Sequence, residues 1–210
     1  YLTEPFQYFG IWSLTCFVLQ AFLSWSFISL FKKDLLLQTL GSILCLFLPA
    51  FLVRFGFQSY MLSQFLLILA LYLNFQNTAH RTLWWTLLLS LAGIINFYLF
   101  AMVFALWIAN LFDVWHTSDR ASHRALIKEI LIALASIIFL FWQAGYFEAT
   151  GSSIISNMYG TARMNALSIF DPAGWSILLK KILPHYGGFT NHRLESMHFL
   201  GLGVFFLAPF

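Results

Sequence analysis

The chain has 210 residues, of which 60% are hydrophobic, 20% are aromatic and only 9% are charged. Soluble domains carry about 25% charged residues, so this chain has too few polar side chains to cover a globule in water. A lipid bilayer is the solvent that its composition fits. The net charge of +3 does not indicate a nucleic-acid partner, because the lysines and arginines are spread between apolar runs, as in loops that flank membrane spans.

Apolar runs along the chain predict an all-α fold, a polytopic bundle of transmembrane helices with six full spans. A helix needs about 20 apolar residues to cross the hydrocarbon core of a bilayer. In chain order the predicted spans are residues 9–31, 35–53, 60–75, 82–95, 97–112 and 125–146, the last with its first turn at the membrane interface. Pro49 predicts a kink in the second span, because proline lacks the N–H that a helix needs.

A further apolar run over residues 199–210 predicts the start of a seventh span. The chain begins with tyrosine rather than methionine and stops inside this run, so we expect it to be a fragment of a longer polytopic protein. Cys16 and Cys45 lie inside apolar runs, where buried free thiols are expected rather than a disulfide framework.

The run from 82 to 112 permits two interpretations, two short spans with a turn at Asn96 or one long tilted helix. Basic residues favour two spans, because cytoplasmic loops carry an excess of lysine and arginine. With two spans, Arg54 is alone among short connections on one side, and the other side holds Lys32, Lys33, Arg81, Arg120, Arg124 and Lys128. The sequence therefore places these six residues in the cytoplasm.

The same orientation places residues 147–198 outside the cytoplasm, as a long loop. Loops of this length are usually functional or disordered, and this one carries the polar stretches MNALSIFDPAGWS and HRLESMH. The stretch SILLKKIL places Lys180 and Lys181 on one side of an amphipathic helix. That pattern suits either a short interfacial helix with its lysines at lipid phosphates or a segment packed on the bundle.

Two carboxylates of this loop are candidate catalytic residues. Asp171 precedes Pro172, so it either starts a turn or supplies a reactive carboxylate. Glu195 lies just before an apolar run, where it acts as a base, binds a sugar hydroxyl or simply pairs with Arg193.

Other residue patterns narrow the chemistry further. Arg54 ends an apolar run, so its guanidinium either reaches the headgroups or binds a lipid phosphate. His192 and His198 have no clear third ligand, so no metal site is predicted. The sequence contains no P-loop, no G-x-S-x-G, no C-x-x-C and no zinc-protease helix motif.

Several stretches, taken in order, carry a resemblance to known proteins: EPFQYFGIWSLTCFVLQAF, FLPAFLVRFG, FLLILALYLNF, MNALSIFDPAGWS and LESMHFLGLGVFF. Together they resemble a family of bacterial polytopic membrane proteins that is similar to the GT-C class of membrane glycosyltransferases. The matching positions are Asn165, Ser168, Pro172, Glu195, Gly201 and Gly203. Ser-Met-His follows Glu195 where the family pattern has glycine.

The resemblance implies a bacterial inner-membrane protein that takes a sugar from a polyprenyl-phosphate carrier and transfers it to a glycan or lipid acceptor on the outer face. Membrane lipid, the carrier-linked sugar and the acceptor are then its partners, and the sequence does not identify a cofactor. Arg54 or Arg163 would hold the carrier phosphate, Glu195 or Asp171 would act at the acceptor hydroxyl, and Asn165 and His198 would bind substrate. Two other classes stay open, a transporter or flippase for lipid-linked glycans and a non-catalytic membrane scaffold.

Overall fold

A computed structural model describes residues 8–52, 54–55, 58–76, 80–117 and 120–147 of the chain. The chain divides into two compact units, one formed by residues 1–46 and 58–150 and the other by residues 47–57 and 151–210. The predicted interfacial helix, nearly all of the predicted outer loop and the predicted start of a seventh span lie outside the described residues.

The described residues form helices and connecting turns, with no β-strand among them, which confirms the all-α prediction. The helices are α1 (Phe9–Ser29), α2 (Leu35–Leu46), α3 (Pro49–Leu52), a 3₁₀ helix (Ser59–Leu62), α4 (Phe65–Phe75), α5 (Arg81–Ile95), α6 (Phe97–Thr117) and α7 (Arg120–Gln143). Three of them, α1, α6 and the His123–Gln143 part of α7, are each long and apolar enough to cross a membrane. The chain therefore has the helices of a membrane protein.

Side-chain caps explain where two of the helices begin. Asp34 Oδ1 accepts hydrogen bonds from the N–H groups of Leu36 and Leu37, at 2.9 and 3.2 Å, and so caps α2. Asn96 Oδ1 does the same for Tyr98 and Leu99 at the start of α6, at 2.7 and 3.4 Å. Both residues satisfy N–H groups that a helix leaves free at its N-terminus.

The chain reverses direction at Asn96, which has an extended backbone between α5 and α6. Glu129 on α7 contacts both Thr82, in the first turn of α5, and Trp107, at the middle of α6. In one continuous helix these two residues would lie about 38 Å apart, so they cannot both reach the same carboxylate. The single long helix considered for 82–112 is thus excluded, and α5 and α6 form a hairpin.

Other helix boundaries differ from the predicted spans. α2 ends at Leu46 and α3 starts at Pro49, so the predicted kink is a full break, because proline also disfavours helical backbone in the residue before it. The run predicted for 60–75 is a 3₁₀ helix followed by α4. α6 continues to Thr117, five residues past the predicted end of that span at 112.

Contacts inside the first unit show that α1 and α4 run in the same direction. Trp12 Nε1 donates a hydrogen bond to Ser59 O at 2.8 Å, near the start of α1 and at the start of the 3₁₀ helix. Phe31, just after α1, packs against Phe75 at the end of α4, with 5.5 Å between ring centroids. α2 follows α1 after a short turn and packs against it.

One end of the first unit collects the ends of α1, α4 and α6 and the starts of α2, α5 and α7. Asn110 of α6 donates a hydrogen bond to Asn74 of α4 at 2.6 Å, and Thr82 of α5 meets Glu129 of α7 near this end. We call it the basic end, because it carries Lys32, Lys33, Arg81, Arg124 and Lys128. These residues belong to the group of six basic residues whose distribution in the sequence predicts that they lie on the same side of the membrane.

The burial pattern of α1 is the reverse of that of a helix in a soluble protein. On α1 the buried residues are Cys16, Gln20 and Ser24, which are small or polar, whereas Leu14 and Phe22 are 66% and 60% exposed. Soluble helices bury their large apolar side chains. Helices packed within a lipid bilayer instead place small and polar residues at their contacts and large apolar ones toward the acyl chains.

Candidate functional site

The structure describes only one of the site residues predicted from the sequence. Arg54 lies in a turn after α3, is partly buried, and its backbone N–H donates a hydrogen bond to Phe51 O at 3.2 Å. The remaining predicted residues lie outside the described part of the chain: Arg163, Asn165, Asp171, Glu195 and His198. Their mutual arrangement therefore stays a prediction.

A buried carboxylate near the basic end is the most developed polar site that the structure describes. Glu129 on α7 is 4% exposed. Its Oε1 accepts a hydrogen bond from Trp107 Nε1 at 3.2 Å and lies 3.3 Å from Arg81 Nη2, while its Oε2 accepts one from Thr82 Oγ1 at 3.3 Å. Donors from α5 and α6 thus converge on one side chain of α7.

Helical spacing explains how the sequence brings these groups together. Arg81 and Thr82 are the first two residues of α5, and the hairpin at Asn96 returns α6 so that Trp107 faces the same point. α7 then packs along α5 and brings Glu129 to them. Two separate packing contacts, α5 with α6 and α5 with α7, therefore determine the geometry of the site.

The arrangement suits a fixed ionic contact better than a free general base. Both carboxylate oxygens have donors, and a base must have one oxygen available to a substrate proton. Arg81 is less completely satisfied: its Nη2 lies at ion-pair distance from Glu129, but Nε and Nη2 have no hydrogen-bond partner among the described residues. Asp113 on α6 adds a second attractive charge to this guanidinium.

Further buried polar atoms without partners lie on the same helices. Trp85, one turn after Arg81 on α5, is fully buried, and its Nε1 has no acceptor in the part of the chain described. Asn110 is 4% exposed; its amide donates to Asn74, but its Oδ1 has no donor there. Buried polar groups are normally satisfied by protein or by ordered water.

A groove between α5 and α7 lies beside the Glu129 contact. Its volume is about 410 Å³, and it is lined by His80, Thr82, Leu83, Thr86 and Ile132. Thr82 connects the two features, because it lines the groove and its hydroxyl donates to Glu129. The Thr86 hydroxyl is buried and has no hydrogen-bond partner among the residues described. The accessible lining of the groove is mostly apolar.

The role of Glu129 is not predicted from the sequence. The first turn of the span at 125–146 is predicted to be interfacial, and only the neighbouring Lys128 enters the charge pattern. The available signal was an acidic residue inside the apolar stretch LIKEILIALAS, since ionisable residues within spans face the bundle interior and have partners. Its partners come from two other helices, so spacing within α7 does not reveal them.

No group of three or more histidine, cysteine, aspartate or glutamate residues within the described ranges is arranged to hold a metal ion. The family described as Domain of unknown function (DUF6311) matches residues 1–210 of the chain. No curated protein and no solved structure matches this chain.

Proposed function

This chain belongs to the family Domain of unknown function (DUF6311). We propose that it is a multi-pass protein of the bacterial inner membrane and that it transfers a sugar from a polyprenyl-phosphate carrier to a glycan or lipid acceptor. Support for the membrane part comes from the three long apolar helices and from the outward-facing apolar side chains. Support for the transfer reaction comes from the resemblance to GT-C proteins and from the residue types of the outer loop.

The observation that carries the proposed orientation is the basic end. Cytoplasmic loops are enriched in lysine and arginine, and Lys32, Lys33, Arg81, Arg124 and Lys128 lie at one end of the first unit. We propose that this end faces the cytoplasm and that α2, the 3₁₀ helix with α4, and α5 complete six spans with the three long helices. Residues 147–198 then face outward, where the lipid-linked donor and the acceptor meet.

The proposed roles follow the chemistry of each side chain. An arginine, Arg54 or Arg163, holds the carrier phosphate, because guanidinium groups bind phosphate oxygens bidentately. Glu195 or Asp171 takes the proton from the acceptor hydroxyl as the glycosidic bond forms and the carrier phosphate leaves. Asn165 and His198 bind hydroxyl groups of the substrates.

Activity in proteoliposomes tests this function. The protein is supplied with a polyprenyl-phosphate-linked sugar and a membrane extract as acceptor source, and both release of polyprenyl phosphate and labelled glycan are measured. Loss of a general base typically lowers turnover by about 100-fold or more, so that loss is expected for Glu195→Ala or Asp171→Ala. Glu148 is an acidic residue of the same loop and has no proposed role. Glu148→Ala is therefore the matched control and should retain activity. Full activity in both Glu195→Ala and Asp171→Ala, or in Arg54→Glu and Arg163→Glu alike, would reject these roles.

A transporter or flippase for lipid-linked glycans is the second candidate, because it would recognise the same carrier-linked sugar without forming a bond. Transport moves the intact carrier-linked sugar across the bilayer without releasing polyprenyl phosphate. A scaffold would show neither transport nor release. The same proteoliposomes therefore separate the three classes.

Accessibility of single cysteines tests the orientation. In a background with Cys16→Ala and Cys45→Ala, a membrane-impermeant maleimide should label Thr190→Cys in whole cells. It should label Ser118→Cys only after the cells are permeabilised, because α6 ends at Thr117, at the basic end, and Ser118 is the next residue of the sequence. Labelling of Ser118→Cys in intact cells, with none at Thr190→Cys, would reverse the orientation and remove the outer-face site.

A further inference from the structure

We propose that the exposed side of α7 binds an anionic phospholipid of the surrounding bilayer, and that Arg124 and Lys128 hold the phosphate of its headgroup. The residues involved are all exposed, and we call them the exposed stripe: Arg124, Lys128, Leu131, Ala135 and Ile138. The proposal does not rest on the transferase function, because it concerns the basic end rather than the loop that carries most of the predicted site residues.

The exposed stripe lies opposite the side of α7 that packs against other helices. The buried residues of α7 are Leu126, Glu129, Ala133 and Ile137. An α-helix has 3.6 residues per turn, so each residue advances by about 100° around the axis. Arg124 and Lys128 therefore lie about 175° and about 145° around the helix from the centre of the buried side. Both cations thus face away from the helices that α7 packs against.

No carboxylate in the described part of the chain neutralises these two cations. The ion pair found there joins Arg81 to Glu129. Glu129 follows Lys128 in the sequence, but it lies on the buried side of α7 and its two oxygens have donors from α5 and α6. Arg124 and Lys128 are four residues apart on one helix, a spacing at which like charges destabilise the helix. An anion bound between them would remove that repulsion.

The remainder of the exposed stripe is apolar and has the length of one leaflet. Leu131 and Ile138 are 61% and 59% exposed. Ile138 lies about 15 Å along the helix axis from Lys128, which is half of the roughly 30 Å of a hydrocarbon core. The part of α7 that is apolar and long enough to span a membrane begins at His123, so the two cations lie in its first turns. Charge and apolar surface therefore follow each other along α7 in the same order as the headgroup and acyl chains of a phospholipid.

The charge of the exposed stripe selects among lipids. Two cations without a carboxylate partner attract a headgroup with a net negative charge. A zwitterionic headgroup carries its own cation, which the two basic side chains repel. A soluble phosphate ion would meet the same two cations, but it has no apolar part to cover Leu131 and Ile138. An anionic phospholipid is the ligand that matches both parts of the stripe.

Native mass spectrometry of the purified protein in a nonionic detergent tests the proposal. The protein is mixed with equimolar dioleoyl-phosphatidylglycerol and dioleoyl-phosphatidylcholine, and the retained lipids are counted. Phosphatidylglycerol is expected to be retained preferentially. Each basic residue near a membrane surface contributes about fivefold to the binding of anionic lipid. Arg124→Gln and Lys128→Gln should therefore each lower the affinity for phosphatidylglycerol by about that factor and leave the affinity for phosphatidylcholine unchanged.

Lys33→Gln is the matched control, because it removes the same charge from an exposed lysine at the basic end that lies between α1 and α2. It should change retention by less than twofold, and circular dichroism should show that all three variants keep the helical content of the parent. An equal loss in Lys33→Gln and Lys128→Gln would overturn the proposal, since net charge alone would then account for binding. Equal retention of the two lipids would also overturn it, and so would displacement of the lipid by millimolar inorganic phosphate.

Discussion

Glu129→Ala is expected to lower the free energy of unfolding by about 3 kcal/mol, the range seen when one partner of a buried ion pair is removed. The substitution leaves the Arg81 guanidinium, whose side chain is only 21% exposed, without its buried counter-ion. It also leaves Trp107 Nε1 and the Thr82 hydroxyl without their acceptor. Unfolding by increasing fractions of SDS in mixed micelles, followed by far-UV circular dichroism, measures the loss.

Two companion variants show whether the loss comes from the contact itself. Lys128→Ala changes the adjacent, exposed residue of α7 and should shift stability by no more than about 0.5 kcal/mol. Arg81→Met combined with Glu129→Leu removes both charges and should recover much of the stability, because an apolar pair needs no counter-ion. If the double variant is instead as unstable as the sum of its single substitutions, the ion pair is not the origin of the effect.

Gly93→Val is expected to destabilise the protein by about 2 kcal/mol, within the range for overpacked cores. Gly93 lies where α5 and α7 pack together: a Cβ at this position would lie 2.6 Å from Phe141 Cε1 and 3.3 Å from its Cζ. The ring of Phe141 has little room to move, because it packs against Phe100 and Tyr146 at 5.1 and 4.8 Å between centroids. A valine at this position would also move α5 and α7 further apart, which would weaken the hydrogen bond from Tyr146 Oη to Gly93 O. SDS unfolding measures this loss as well.

A second glycine provides the matched control. Gly10 also lies in a helix, and nothing lies within 4 Å of a Cβ built on it. Gly10→Ala should therefore be neutral or stabilising by up to about 1 kcal/mol, whereas Gly93→Ala should be destabilising. Adding Phe141→Leu, which shortens the opposing side chain, should make Gly93→Ala less costly. Strict additivity of those two substitutions would show that the close approach of the helices is not what Gly93 provides.

Features that depend on the local sequence could be predicted for this fold. Composition alone indicates the membrane class, and the distribution of basic residues favours a turn at Asn96 over one long helix. The full break before Pro49 was predicted only as a kink. Proline removes a hydrogen bond wherever it occurs, but whether the helix bends or ends depends on neighbouring segments that local sequence does not specify.

The site was harder to predict because its members are distant along the chain. Thr82 and Trp107 each occupy an unremarkable position in an apolar helix, and only the packing of three helices brings them to Glu129. Residues such as Asp171 and Glu195 attract attention because they stand out in sequence, and they lie outside the described residues. The residues that stand out in the sequence are therefore different from the residues that the packing of the helices brings together.

The hairpin at Asn96 also constrains how the protein is made. α5 has 15 residues and is about 22 Å long, which is shorter than the roughly 30 Å of a hydrocarbon core. Only Asn96 separates it from the 21-residue α6, so the ribosome delivers both helices to the translocon almost together. We expect insertion of α5 into the bilayer to depend on α6. In a chain truncated at Asn96, α5 should therefore be poorly inserted.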